Sequence, residues 1–400
     1  MHLAVFHHSI NRLHSLCLAS LITKCMVLLL LVFFTSVAQT ESLAPIRDQT
    51  QADKLPVTTP TRVHFINPSA PDNIFWKKTT KFMQAAANSL GFELRVIYGD
   101  ENRVRTTQSV KNAMQASPDD YFIYIYQISQ GLDVLQHAEA LNAKSIIINT
   151  SVPEVDQLKA GRPGNPFHHW IAHFTPDDVA AGETLARYLT EKSDAINPMN
   201  PQQIIALNGS LDSTAAADRQ TGLNNFLKQR QDIKLNQLTW ARWDKKLARF
   251  QTERLLQRYP GTCIIWSASD DMAAGSLEGL ASISNRCNQM IVGGIDWSDW
   301  GIEAVSKGEL DATVGGHFME GAWALVLIYD HENQRKGSSK PMHFQTKMAL
   351  LNKENMALST ALFDTEQWHQ IDFRQFTLTH TNASSYDFSV QAVLKQLAPK

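Results

Sequence analysis

The stretch from Thr262 to Trp297, TCIIWSASDDMAAGSLEGLASISNRCNQMIVGGIDW, constrains the fold more than any other part of the chain. An apolar run, Cys263 to Trp266, stops at Ser267-Ala268-Ser269-Asp270-Asp271. A helical pattern follows at Met272, Ala273, Leu277, Leu280 and Ile283, and a second apolar run from Met290 to Ile295 stops at Asp296-Trp297. Short apolar runs separated by a helical period read as strand, helix, strand. In open α/β sheets ligands bind in the crevice at the carboxyl ends of the strands. The segment therefore predicts both a fold class and a binding edge.

The same alternation runs through most of the chain. Strands are expected at Val63–Asn67, Leu94–Tyr98, Tyr121–Tyr126, Ser145–Ile148 and Trp170–Phe174. Between them lie helical patterns at Phe75–Leu90, closed by Gly91, at Val104–Ala116 and at Leu132–Leu141. A second set has helices at Val179–Leu189, Ala215–Leu227 and Lys246–Tyr259, with strands at Ile204–Leu207, Lys234–Trp240, Cys263–Trp266 and Met290–Ile295. Alternation of this kind means parallel sheets wrapped by helices. The Gly161–Pro166 break and the Thr175–Asp178 connection divide it into two similar halves. After Gly315-Gly316-His317 a long apolar helix is expected over Met319–Tyr329, then a tail with strand-like stretches at Thr346–Leu351 and Phe373–Leu378.

A net charge of −2 gives no basic excess to hold nucleic acid or an anionic membrane surface. At the N-terminus His7, His8, Arg12, His14 and Lys24 precede the apolar run Cys25–Phe34, and Ser36-Val37-Ala38 offers a cleavage site. This is a secretory signal pattern, with Met26 as an alternative start. Residues 1–38 are read as the leader, and the Gln-, Thr- and Pro-rich residues 39–60 as a flexible lead-in. Cys263 and Cys287 then remain in an oxidising compartment, where a pair usually bridges. A disulfide and two buried thiols both fit the sequence, because Cα separation decides between them.

The strand exits carry the candidate chemistry. The first reads Ser69-Ala70-Pro71-Asp72-Asn73-Ile74-Phe75-Trp76, where Asn73 suits a helix cap and two adjacent aromatics are harder to dismiss. Gln127, Asn149, Trp243 and Asp296 follow other strands, Ser269 follows Trp266 closely, and Arg219 sits early in the helix after Asn208-Gly209-Ser210. Aromatic faces stack on sugar rings while amides, carboxylates and arginine satisfy hydroxyls, so the set suits a carbohydrate-like ligand. Enzyme readings find little support. Neither a phosphate-binding glycine loop nor a Gly-x-Ser-x-Gly elbow appears, and Asp270-Asp271 are adjacent and diverge on a helix. His168, His169 and His173 lack a sequence neighbour to complete a metal set, so neither a metal nor a cofactor is expected.

From Val63 to about Glu332 the sequence resembles the type I periplasmic sugar-binding proteins of the ribose and galactose type. The markers are Ser69-x-x-Asp72-Asn73-x-Phe75-Trp76, Ser213-Thr214-Ala215-Ala216-x-Asp218-Arg219-x-x-Gly222, Trp243-Asp244, Ser269-Asp270-x-Met272-Ala273-x-Gly275 and Gly294-Ile295-Asp296. The resemblance implies two similar Rossmann-like lobes joined by a hinge, with the ligand in the cleft between them. By chain position the first lobe would take 61–175 and about 317–340, and the second 176–316 with part of 341–400. Phe75 and Trp76 would clamp the ligand from the first lobe and Trp243 from the second. Arg219 and Asp296 would bond its ring oxygen and hydroxyls, with Ser69, Asn73, Gln127, Asn149 and Ser269 completing the set. The family often has Asp-Arg where Asn149-Thr150 stands, Asn where Ser269 stands, and Gln near Gly316-His317, which bears on the choice of sugar. Asn149 with Trp76 and Arg219 also looks like the autoinducer-2 receptor branch. The resemblance thus implies a monomeric periplasmic protein that delivers a small carbohydrate-like ligand to the membrane permease of an ABC importer. The alternative is presentation of such a ligand to a membrane sensor kinase or cyclase. No helix-turn-helix pattern is read before Val63, so a DNA-binding repressor is not expected. Trp76→Ala and Arg219→Ala are each expected to weaken binding without unfolding the chain.

Overall fold

The computed structural model describes residues 60–198, 202–283, 287–334, 341–358 and 360–397. The expected leader, the choice between Met1 and Met26, and the lead-in up to residue 59 lie outside the described residues.

The chain begins with β1 (Arg62–Asn67), α1 (Ile74–Leu90), β2 (Glu93–Tyr98), α2 (Arg103–Ala116) and β3 (Tyr121–Tyr124). It continues through α3 (Gly131–Leu141), β4 (Lys144–Ile147), α4 (Glu154–Ala160) and β5 (Trp170–Pro176). A second series follows with α5 (Asp178–Ile196), β6 (Gln203–Asn208), α6 (Thr214–Gln229), β7 (Lys234–Trp240) and α7 (Lys245–Arg258). It ends with β8 (Ile264–Ser267), α8 (Asp270–Leu280), β9 (Ile291–Asp296), α9 (Asp299–Lys307) and β10 (Ala312–Gly315). Then come α10 (Glu320–Glu332), β11 (Met342–Thr346) and β12 (Ala349–Asn352).

These strands form two sheets of the same plan. The first has the order β11-β5-β4-β3-β1-β2, and the second β12-β10-β9-β8-β6-β7. All pairings in them are parallel except β12 against β10. Every residue of β3, β8, β9 and β10 is buried, as parallel strands covered on both faces must be. The chain passes between the sheets three times, at Asp177, at Gly316-His317 and at Lys347-Met348.

Polar residues at the strand exits first serve the helices that follow. Asn73, Ser213, Asp244, Ser269 and Ser298 each accept a hydrogen bond from the backbone N–H of the third residue on, so α1, α6, α7, α8 and α9 start at capped ends. Helix α1 ends at Gly91 with φ 77°, the left-handed conformation glycine adopts without strain.

The first lobe packs α1 and α10 on one face of its sheet, through Phe65, Phe82, Met83, Phe318 and Trp323. The other face packs α2 and α3 through Val110, Phe122 and Leu135. The second lobe has its own core, including Leu185, Ile205, Trp266 and Val292. The tail returns to the first lobe, where Trp368 and Phe373 meet Phe82 edge-on at 4.9 and 5.3 Å. Phe373–Leu378 is not the expected strand. Asp372 and Thr377 accept from the backbone N–H of Arg374 and His380, and these caps wind the segment into short helical turns. The Gly161–Pro166 break is a small ribbon, Gly161–Arg162 against Asn165–Pro166, lying before β5 within the first lobe. Cys263 and Cys287, at the amino edge of the second sheet, are joined by a disulfide with a Cα separation of 5.6 Å.

Candidate functional site

Arg219 lies in the second turn of α6 and is 3% exposed. Its Nε donates to Asp178 Oδ1 at 2.7 Å, and its Nη1 to the Ala268 carbonyl at 2.6 Å and to Asp296 Oδ1 at 3.4 Å. Its Nη2 donates to His317 Nε2 at 3.3 Å. One guanidinium thus gathers the start of α5, the exits of β8 and β9 and the second crossing. A buried cation needs such partners, because unpaired it would lose its hydration without return.

The surroundings set the protonation states. Burial pushes Asp296 up to about 6 against the pull of Arg219, so it is mostly ionised at neutral pH. Burial also raises Asp178, again opposed by Arg219. Burial, with the charge of Arg219, brings His317 down to about 3, so its ring is neutral and its Nε2 accepts from the guanidinium. The proton then sits on Nδ1, which is buried without a hydrogen-bond partner. Asn149 Oδ1 is a buried acceptor in the same condition, while its backbone N–H donates to Glu320 Oε2 at 2.7 Å.

Aromatic rings frame this polar group. Phe75 stacks on His317 with centroids 4.7 Å apart, and Trp76 meets Phe75 edge-on at 5.0 Å. From the second lobe, Trp243 lies with its ring centroid 5.7 Å from the Arg219 guanidinium carbon. Gly209 makes room for it, since a Cβ there would stand 2.0 Å from the indole. Four residues here hold uncommon backbone conformations: Asn149 at φ 63°, Trp243 at 64°, Asp296 at 142° and Trp297 at 55°. Such conformations persist where surrounding structure over-determines them, and they cluster at functional sites.

Asp270 holds the Asp296 exit from beneath. It accepts from Ser298 N and Ser298 Oγ, both at 2.8 Å, and from Thr313 Oγ1 at 2.7 Å. Gly294 and Gly301 leave it space, as a Cβ on either would fall 2.5 or 2.2 Å from its oxygens. Asp270 therefore orders the loop, and burial raises its carboxyl to about 7. Half-buried Asp271 is pushed up to about 6 by the same cause.

Phe75, Trp76, Arg219, Trp243 and Asp296 thus fall into one connected group, with Asn149 beside it through Glu320. The other expected residues are occupied locally. Asn73 and Ser269 cap α1 and α8, Ser69 Oγ donates to Glu101 at 3.0 Å, and Gln127 accepts from Thr107 at 3.4 Å. Asp178, His317 and Glu320 escaped the sequence reading. His317 is marked in the sequence only as a place near which the family often has Gln, and Asp178 and Glu320 look like ordinary first-turn helix acids. His168 and His169 both bond Glu139, whereas His173 bonds the Thr150 carbonyl at 2.7 Å, so the three do not converge. Among the described residues no group of three or more His, Cys, Asp or Glu could hold a metal ion.

The lobes also touch outside this group. Ser151 donates from its backbone N–H to Thr214 Oγ1 at 3.1 Å and from its hydroxyl to Asp218 at 2.9 Å, and Arg103 pairs with Asp212. A cavity of about 390 Å³ beside the first crossing is bordered by Ser151, His173, Asp178 and Asp218.

A family model for the periplasmic binding protein domain matches residues 63–336. The chain belongs to the periplasmic binding protein family. This periplasmic binding protein is 28% identical over 166 residues to the D-allose-binding periplasmic protein of Escherichia coli, covering 41% of this chain and 52% of that one. It is 22% identical over 248 residues to a ribose import binding protein of Bacillus subtilis, covering 62% of this chain and 73% of the relative. Among solved structures, a periplasmic sugar-binding protein from Pseudomonas fluorescens superposes with a TM-score of 0.73 at 26% identity, over 84% of this chain and 99% of that one. A galactofuranose binding protein aligns with a TM-score of 0.64 at 16% identity, over 77% and 98%. The fold is that of the type I binding proteins.

Proposed function

We propose that this protein captures a small sugar or sugar-like polyol between its lobes and delivers it, unchanged, to the permease of an ABC importer. The reading rests most on two orphaned polar atoms, the His317 Nδ1–H and Asn149 Oδ1. Buried polar groups are nearly always paired, so a lone buried donor and a lone buried acceptor ask for a ligand bearing both. A hydroxyl is both. Arg219 and ionised Asp296 add one charged donor and one charged acceptor, and Phe75, Trp76 and Trp243 offer faces for the C–H side of a ring. Several relatives are described as binding allose or ribose, which accords with this chemistry. Export through the N-terminal signal pattern would place the protein in the periplasm, and the three crossings would serve as the hinge.

A thermal-shift screen tests the reading. D-Ribose, D-allose, D-galactose, L-arabinose and myo-inositol are each added to the mature protein, and at least one is expected to raise the melting temperature in a dose-dependent way. Recovery of that sugar unaltered after long incubation is expected. No shift with any of the five, or a chemically changed sugar, would count against the proposal.

A further inference from the structure

Lys78 stands out among the groups that the ligand site leaves unexplained. It belongs to α1 of the first lobe, is 3% exposed, and is turned toward the second lobe. Its Nζ donates to the Trp297 carbonyl at 2.8 Å and to Asp299 Oδ1 at 2.9 Å. The Asp299 side chain is 72% exposed, so water screens that ion pair. The bond to the carbonyl is fully buried, and it falls on the residue immediately after Asp296.

That turn is held from two lobes. Asp270 fixes Ser298 from the second lobe, and Lys78 fixes Trp297 from the first. Both grips fall on the peptide between Trp297 and Ser298, directly after Asp296 and Trp297 with φ of 142° and 55°, neither of which an unsupported turn would favour. Two aromatic rings cover the ammonium. Phe318 and Phe363 have ring centroids 5.2 and 5.5 Å from Nζ, and Phe363 meets the Trp297 ring edge-on at 5.4 Å. Phe363 comes from the C-terminal tail, beyond the residues 63–336 that match the family. A buried ammonium is costly to keep, and both of its hydrogen bonds leave α1 for residues 297 and 299.

We infer that Lys78 is a positioning residue for ligand capture, reaching from the first lobe to hold the Asp296–Trp297 turn in binding geometry, with Phe363 of the tail as its roof. The inference rests on the sugar-binding reading above, because Asp296 matters here as a ligand contact. Its consequence is that the carboxylate of one lobe is aimed only when the other lobe is docked beside it. The tail then takes part in binding without touching the ligand.

Two measurements on the mature protein test this. Hydrogen exchange needs no ligand. In Lys78→Met the amides of Asp296 to Ser298 are expected to exchange at least tenfold faster, with β6 unchanged, and Lys78→Arg is expected to recover part of the protection. With whichever of the five sugars shifts the wild type, Lys78→Met is expected to weaken affinity about tenfold, mainly through faster dissociation. Asp299→Asn is expected to stay within about twofold. Unchanged exchange, or unchanged affinity in a folded Lys78→Met protein that shows the exchange change, overturns the inference. Should Lys78→Met fail to fold, Phe363→Ala replaces it, and wild-type exchange and dissociation in that variant overturn the inference equally. A wild-type protein that binds none of the sugars defeats the reading of function instead, and the exchange result then decides the grip by itself.

Discussion

The imidazole of His317 is shared by the two lobes: its face stacks on Phe75 at 4.7 Å while its Nε2 accepts from Arg219 at 3.3 Å. The ring is kept neutral by burial, so it can accept from a cation where an imidazolium would repel it. His317 thereby joins the aromatic wall of one lobe to the charged cluster of the other.

Arg219 and Trp76 should now separate in their mutational behaviour. Arg219→Ala leaves Asp178 and Asp296 buried without their cation, and loss of one partner of a buried pair costs about 3–5 kcal/mol. It is expected to lower the urea midpoint markedly as well as abolish sugar binding. Trp76 is only partly buried, and Trp76→Ala is expected to cost roughly 2 kcal/mol of binding with a smaller loss of stability. Paired urea melts and calorimetric titrations would show whether the two effects divide this way.

Binding should weaken in mild acid. With its carboxyl at about 6, Asp296 is an ionised acceptor above that pH and loses its charge below it. Arg219, Asp270 and neutral His317 face it, and none of them supplies a replacement acceptor. Affinity is therefore expected to be full at neutral pH and to fall as pH drops through about 6, whereas Asp296→Asn should bind weakly with a flatter profile. A wild-type affinity constant from pH 5 to 8 would refute this.

Glu320 should make stability depend on alkaline pH. Burial pushes its carboxyl from the ordinary 4.5 up to about 8, so the folded state prefers it protonated. The stability from that preference is fully present below 4.5 and is lost as pH rises through about 8. Wild-type protein is expected to lose roughly 1 kcal/mol relative to Glu320→Gln between pH 7 and 9. Parallel melting curves of the two proteins at several pH values measure that difference directly.

Gly209 should be sensitive despite touching no ligand. A methyl group there would collide with the Trp243 indole, at 2.0 Å from its nearest atom. Gly209→Ala is expected to displace the ring and weaken sugar affinity about tenfold while the fold survives, a change of about 1.4 kcal/mol. Tryptophan fluorescence together with calorimetry would detect both the displacement and the loss, and wild-type affinity would reject the role given to this ring.

Much of this architecture could be read in the sequence because its signals are local. Uniformly apolar runs such as Ile291–Ile295 and the helix after each of them mark strand exits, and with those the neighbourhoods of Asp296 and Trp243. The partners of Arg219 could not be read this way. Asp178 and His317 lie 41 and 98 residues from it, and only the packing of two sheets brings them together. Exit residues such as Asn73 and Ser269 have a second difficulty, because a helix cap and a ligand contact ask for the same side chains. The tail hid its placement for another reason: Phe373–Leu378 reads as strand-like although its caps wind it into turns, and nothing local says which lobe Trp368, Phe373 and Phe376 cover.

The three crossings carry a consequence for inheritance and engineering. Each lobe is assembled from separated stretches, since β11 completes the first sheet and β12 the second only after the chain has visited both. A gene cut between β5 and α5 therefore yields no self-sufficient half, because the upstream piece lacks α10 and its edge strand. Exchanging one lobe between relatives requires junctions at Asp177, at Gly316, at Lys347 and again after β12, where the tail returns to the first lobe. Recombination at a single point would scramble both lobes, so new specificities in such a chain are more readily reached by substitution at the strand exits than by shuffling.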